Sequence, residues 1–179
     1  MTPSRRGGVT TIVELHAADV EAAAGELAQL LLDAHASGMA LGLPGPLLRE
    51  RAVEEWLATA RLLHPRDRIM LGALVDDRLV GTVQIVRASA ANGRHRAEIV
   101  RFAIRGDLRG RGIGRELLEA AADRARELEL SLLWLSTHAD TSSDRIYERL
   151  GWRRVGVIPR YAARPDGELV ANAFYYLEL

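Results

Sequence analysis

Between Asp107 and Leu117 the chain reads DLRGRGIGREL, with glycines at 110, 112 and 114 and arginines at 109, 111 and 115. Glycine has no Cβ, so it lets backbone N–H groups turn inward and lets a ligand come close. The arginines add positive charge. A helix that begins near Gly112 would point its unpaired N–H groups and the positive end of its dipole at the same loop. Such an arrangement holds an anion, phosphate above all. The alternative reading of the spacing is a glycine-rich turn that feeds a helix and binds nothing.

The spacing narrows the chemistry. A dinucleotide fingerprint needs G-x-G-x-x-G. Its third glycine would fall on Arg115 counting from Gly110, or on Leu117 counting from Gly112. The acidic residue expected at the end of the following strand is also missing, because that strand closes on Ser136-Thr137. A Walker loop needs a lysine, and all 24 basic side chains here are arginine. The same absence excludes Schiff-base chemistry on a lysine. With no cysteine in the chain, disulfides, thiolate zinc sites and a cysteine nucleophile are excluded too. The five histidines have neither HxxxH nor HExxH spacing, so no metal site is expected. What remains is R-x-x-G-x-G, Arg109 to Gly114.

The elements that must position this loop follow from periodicity. Ala97 to Ile104 (AEIVRFAI) predicts a strand running into it. Ile113 to Leu128 predicts a helix leaving it, with Ile113, Leu117, Ala121, Ala125 and Leu128 on one stripe. Leu132 to Thr137 (LLWLST) predicts a buried strand after the helix. Strand, loop, helix and strand imply a parallel, right-handed crossover. Upstream, Thr10 to Leu15 predicts a strand, and Asp19 to Ala36 a helix with Asp19 as its N-cap. Ser37 to Pro46 reads as a loop, and a second helix runs from about Leu47 to Leu63, before His64-Pro65. Ile69 to Val75 and Leu79 to Arg87 read as a hairpin turning at Asp76-Asp77-Arg78. Downstream, Ser142 to Leu150 reads as a short helix ended by Gly151. Trp152 to Ile158 and Leu169 to Leu179 read as the last two strands. The fold class expected is therefore α/β (α+β): a mixed sheet of about seven strands, with about four helices on its two faces. Residues 1–8 read as a flexible tail, and 9–179 as one domain.

Composition sets the remaining bounds. A chain of 179 residues is long enough to bury a real core. Formal net charge is zero, which argues against nucleic acid or an anionic membrane as the main partner. No stretch has the roughly 20 apolar residues that span a bilayer, and Met1 to Val9 is too polar for a signal peptide. The expected location is the cytoplasm.

The motif Arg109-Gly110-Arg111-Gly112-Ile113-Gly114, behind a strand ending Phe102-Ala103-Ile104, resembles the acetyl-CoA signature of the GNAT family of N-acetyltransferases. Tyr147 in a short helix, Gly151-Trp152 and two final strands extend the resemblance to nearly the whole of Thr10 to Leu179. The stretches RAEIVRFAI, RGRGIGRELL and YERLGWRRVGVIPRYAARPDGEL are most similar to the tabtoxin-resistance branch of that family.

The resemblance implies a ligand for the loop. Backbone N–H groups of Gly110 to Arg115, Ile113 and Gly114 among them, would hold the pyrophosphate of the co-substrate acetyl-CoA, with Arg109 and Arg111 beside it. The backbone of Phe102, Ala103 and Ile104 would pair with the pantetheine arm, wedged where the strands Ala97–Ile104 and Leu132–Thr137 splay apart. A backbone N–H near Ile104 would hold the thioester carbonyl. Tyr147 is then the acid for the departing thiolate. Glu98 is the candidate base for the attacking amine, or else a rim carboxylate pairing with Arg96 or Arg101. Ser136 stands where the tabtoxin branch has an aspartate. His35, beside the loop expected to cover the acceptor, and Ser136 are candidate substrate-binding residues, with His138 weaker. Asp140 stands where many relatives have an asparagine that contacts the cofactor; its carboxylate cannot donate, and it is left out of the site.

The activity implied is direct acetyl transfer from acetyl-CoA to a primary amine of a small molecule, with detoxification of an amino-acid-like toxin or antibiotic as the role the resemblance suggests. A homodimer is compatible with the resemblance. Two other readings stay open: a non-catalytic acetyl-CoA-binding sensor or partner module, and a protein or peptide N-terminal acetyltransferase.

Overall fold

The computed structural model describes residues 9–39, 41–43, 45–139 and 144–179. The tail expected at 1–8, and Asp140, lie outside the described residues. Seven strands form one sheet: β1 (Thr10–Leu15), β2 (Arg68–Val75), β3 (Arg78–Arg87), β4 (Arg96–Ile104), β5 (Leu132–His138), β6 (Arg153–Ala163) and β7 (Leu169–Glu178). Their order across the sheet is β1-β2-β3-β4-β5-β7-β6. All neighbours are antiparallel except β4 and β5. That parallel pair is the crossover the sequence implied, since a parallel pair needs a long connection and here receives a helix.

The connecting helix, α4 (Ile113–Glu127), buries Ile113, Leu117, Leu118, Ala121, Ala122 and Ala125. This stripe packs with Ile85, Ile99, Leu133 and Leu135 on one face of the sheet. Full burial of a leucine such as Leu117 contributes about 1.5–3 kcal/mol, so the stripe fixes the helix and with it the loop at its N-terminus. Arg124 ties the far end of α4 to Glu14 of β1 at 2.8 Å. A short helix, α5 (Asp144–Arg149), joins the same face through Tyr147, which packs with Trp152 and Tyr175.

The opposite face carries α1 (Ala17–Ala22), α2 (Ala24–Ala36) and α3 (Arg49–Ala60). Their apolar sides, among them Val20, Leu27, Leu31, Ala52 and Trp56, meet Met70, Leu79 and Ala103 of the sheet. With both faces covered, β2 and β3 are buried along most of their length, which accounts for near-continuous apolar runs instead of alternation.

Two expectations are corrected. The single helix expected over Asp19 to Ala36 is two helices, broken at Ala23 (φ −91°, ψ 8°). Nothing in the run AAAG signals a break; it lets Val20 on α1 and Leu27 and Leu31 on α2 all reach the same core, so packing overrides local propensity. Asp19 is also not the cap. The N-cap is His16, whose backbone N–H donates to the Asp19 carboxylate at 2.9 Å, so Asp19 serves the same helix end from inside its first turn.

Candidate active site

β4 and β5 pair over only three positions, from Arg96 with Leu132 to Glu98 with Trp134. Beyond that point β5 pairs with β7 alone, Ser136 opposite Phe174 and His138 opposite Asn172. The two parallel strands therefore part after Glu98, and the β5-side edge of β4 is left free up to Ile104. Arg105 donates its N–H to Val80 on β3 at 2.9 Å. Alternation along the strand then turns the N–H and C=O of Ile104 away from β3, toward the gap. The splay expected between these strands is thus present.

A bulge re-aims β4 as it enters the gap. Thr82 pairs with Ala103 and Gln84 with Val100, so Arg101 and Phe102 together oppose Val83. Arg101 takes the strain, at φ +52°. Before the bulge, Ala97 and Ile99 face α4; after it, Phe102 and Ile104 do. Without the extra residue, Arg101 would have pointed into that apolar core. Instead it faces α3, with Nη2 3.4 Å from Glu55 and its guanidinium 5.8 Å from the Trp56 ring centroid. A bulge beside a site, re-aiming one side chain, is the usual use of this irregularity.

The gap opens into a cleft of about 1100 Å³. One half is built from the end of β4 and the glycine loop: Phe102, Ala103, Ile104, Arg109, Gly110, Gly112, Ile113, Gly114 and Arg115 all line it. Gly110 (φ +77°) and Gly112 (φ +93°) hold left-handed conformations, and Gly112 is the N-cap of α4. A Cβ at Gly110 would meet nothing within 4 Å, and one at Gly112 only Glu116 Oε1 at 3.8 Å. The space above the loop is therefore open and faced by a helix N-terminus, as an anion requires. Gly114 differs: a Cβ there would lie 3.0 Å from Phe102 Cζ, so its smallness lets α4 pack onto β4. Arg109 spans the loop, donating from Nε to Ile104 O at 3.2 Å and from Nη1 to Ser37 Oγ at 2.9 Å.

The other half is assembled from distant segments. Met39, Leu41 and Gly42 come from the loop after α2, Glu98 and Arg101 from β4, Ser136 and His138 from β5, Tyr161 from β6 and Asn172 from β7. Glu98 is half-buried, and burial raises its carboxyl above the ordinary glutamate range, with Arg68 pulling the other way. Asn172 is buried and donates from Nδ2 to Ser136 Oγ at 3.2 Å. Burial lowers the His138 imidazole below its ordinary value, with Arg164 adding to the shift, so the neutral ring predominates. Tyr147 lines the junction of the two halves and is 6% exposed. Its ring is held by Phe102, Trp152 and Tyr175, with centroids 6.5, 6.1 and 5.4 Å away. The packing and functional readings of this tyrosine are compatible, because the ring that the cage buries also lines the cleft.

Several expected residues stand elsewhere. Arg111 does not line the cleft; it is exposed, and its Nη2 donates to Asp107 O at 3.3 Å. His35 also lies off the cleft, with Nε2 3.3 Å from Gly45 O. A carbonyl only accepts, so Nε2 carries the proton. Burial, with Arg51 second, lowers this imidazole, and a neutral His35 fastens the covering loop. The ion pair considered between Glu98 and Arg101 is replaced by Arg101 with Glu55. Among the described residues no group of three His, Asp or Glu side chains could hold a metal.

Residues 28–152 match the model of the acetyltransferase (GNAT) family. The chain belongs to this family. A mycothiol acetyltransferase of Propionibacterium freudenreichii is 31% identical over 121 residues, covering 65% of this chain and 36% of that protein. The matched part thus spans about a third of that relative's length. An Acinetobacter baylyi protein classed as an acetyltransferase superposes with a TM-score of 0.79 at 23% identity, covering 98% of this chain and 95% of its own. A Salmonella typhimurium protein solved with its cofactor acetyl-CoA superposes with a TM-score of 0.71 at 18% identity, covering 95% and 94%.

Proposed function

We propose that this GNAT protein transfers an acetyl group from acetyl-CoA to a primary amine of a small molecule, by direct attack within a ternary complex. One observation carries the reading: a carboxylate held above its ordinary range opens onto the same cleft as an anion-ready glycine loop and a free strand edge. The loop N–H groups of Gly110, Gly112 and Gly114 fit a pyrophosphate. The edge of β4 at Phe102 to Ile104 fits an amide-bearing arm, as an added strand. The Acinetobacter and Salmonella folds support the same placement.

When bound, acetyl-CoA supplies an activated acetyl thioester. Glu98 takes a proton from the acceptor ammonium, freeing the lone pair that bonds to the acetyl carbon. Its raised pKa brings its basicity closer to the task at neutral pH. The Ile104 N–H donates to the carbonyl oxygen as charge gathers there. Tyr147 gives a proton to the departing thiolate as the carbon–sulfur bond breaks. The second proton, left on nitrogen after attack, returns to the Tyr147 phenolate, and Glu98 releases its proton to solvent, so the products are the acetamide, free coenzyme A and one proton.

The tabtoxin-like stretches support a small amino-acid-like acceptor and a detoxifying role. The deciding experiment is acetyl-CoA-dependent thiol release across small amines, amino-acid analogues and short peptides. Release with a small amine is the expected result. Release with peptides alone would move the reading to protein N-terminal acetylation. Tight acetyl-CoA binding with no release from any amine would make the chain a sensor.

A further inference from the structure

Acetyl transfer as described uses Glu98 and leaves its neighbour on the same sheet face idle. Arg101 lines the acceptor half of the cleft, on the bulge that turns it away from the α4 core. Its side chain is only 18% exposed, yet its partners do not exhaust it. Nη2 reaches Glu55 at 3.4 Å, longer than a tight charge-assisted bond of roughly 2.7–2.9 Å. Nη1 is buried and has no hydrogen-bond partner among the described residues. A buried N–H without a partner is costly and uncommon. The residue also occupies a strained φ of +52°, a conformation that persists only where the surroundings impose it. Trp56 and Glu55 hold the guanidinium from the α3 side, and the residue lines the cleft. Arg68 adds a second positive charge close enough to act on both Glu98 and Arg101.

We propose that Arg101 binds a carboxylate on the acceptor, so that the amine acetylated belongs to a free amino acid or a compound shaped like one. This rests on the acetyl-transfer reading and narrows its substrate. Glu98 and Arg101 present a negative and a positive group from one strand into one cleft half, which matches the two charges of a zwitterion. The ammonium meets Glu98, which takes its proton. The carboxylate meets the guanidinium, whose unpartnered N–H gains an acceptor and whose planar fork suits a carboxylate as an ammonium does not. A diamine or polyamine places a second cation against Arg101 and is disfavoured by it.

The test is binding by calorimetry of N-acetyl amino acids, and of their uncharged amides, to the protein saturated with coenzyme A. These products need no chemistry. The expected result is that at least one acid binds at least 10-fold tighter than its own amide. Arg101→Gln should cut acid affinity by about 10- to 100-fold, the usual range for one hydrogen bond to a buried charge. Amide and acetyl-CoA affinities should stay as they are, and Arg101→Lys should restore part of the loss. A merely structural Arg101 would weaken acid and amide alike. Equal affinity for acid and amide, binding of neither, or an unchanged Arg101→Gln overturns the proposal. Thiol release with free amino acids and their decarboxylated amines separates the two readings. Equal release from both leaves acetyl transfer standing and removes the carboxylate site. Acid binding without release from any amine does the reverse.

Discussion

The two halves of the cleft are built on opposite plans. The cofactor half comes from one contiguous run, the end of β4, the glycine loop and the first turn of α4, and it works through backbone groups. The acceptor half draws single side chains from β4, β5, β6, β7 and the loop after α2. A backbone cradle needs only glycines in left-handed conformations and a helix end, so its demands on sequence are local. A side-chain pocket needs particular residues brought together across the sheet, and its composition can change while the fold stays the same. The difference predicts that damage to the first half stops all acceptors equally, and damage to the second changes which acceptor is used or how fast.

The largest effect should come from Gly112→Asp. The left-handed φ of +93° disfavours any side chain, and a carboxylate there repels a pyrophosphate. Acetyl-CoA affinity should fall at least about 100-fold, from strain of 1–3 kcal/mol together with like charge. Calorimetry checks this, and an unchanged affinity would undo the division of labour between the halves. Next is Glu98→Gln, expected to lower kcat about 100-fold with acetyl-CoA affinity unchanged, within the range for loss of a general base. In the wild type, the acidic limb of the kcat/KM profile should fall above the ordinary glutamate range, because burial raises that carboxyl. Tyr147→Phe should be milder, about 10-fold in kcat, with the cage of Phe102, Trp152 and Tyr175 intact. Full activity would leave Tyr147 a packing residue only.

The same contrast explains what could be read in advance. The glycine loop, the helix after it and the two parallel strands were legible because each is written in one short segment: alternate glycines, a 3.6-residue stripe, an apolar run; the splay of those strands came from the family resemblance. Arg111 stands inside the motif, and its direction depends on the turn, which sends it to solvent. His35 is near the covering loop in sequence, and the structure has it fastening that loop at Gly45. Arg101 was passed over, although its strand carried a signal. Strict alternation puts Arg101 on the face of Ala97, Ile99 and Ala103, burying a charge in an apolar core. That conflict is the mark of a bulge, and the bulge is present. Asn172, which meets Ser136, and Tyr161 had no signal, since their place in the cleft depends on β5, β6 and β7 pairing out of sequence order.

The smallest effect concerns stability. A half-buried Glu98 with a raised pKa binds its proton more readily folded than unfolded. Its contribution to stability is therefore fully present below the unfolded pKa and is lost as pH rises through the folded one. At pH 8 the charged carboxylate costs the fold something, and Glu98→Gln removes that cost. The variant should melt slightly above the wild type at pH 8, and the gap should close near pH 4, where the wild-type carboxyl is protonated. Thermal unfolding at the two pH values checks both signs. Gly112→Asp has no such compensation, because it adds strain and charge where the backbone alone was suited to the work. A Glu98→Gln variant that melts lower at pH 8 would mean that Arg68 and its neighbours hold the carboxylate as a structural partner, and the acceptor half would then share the cofactor half's plan.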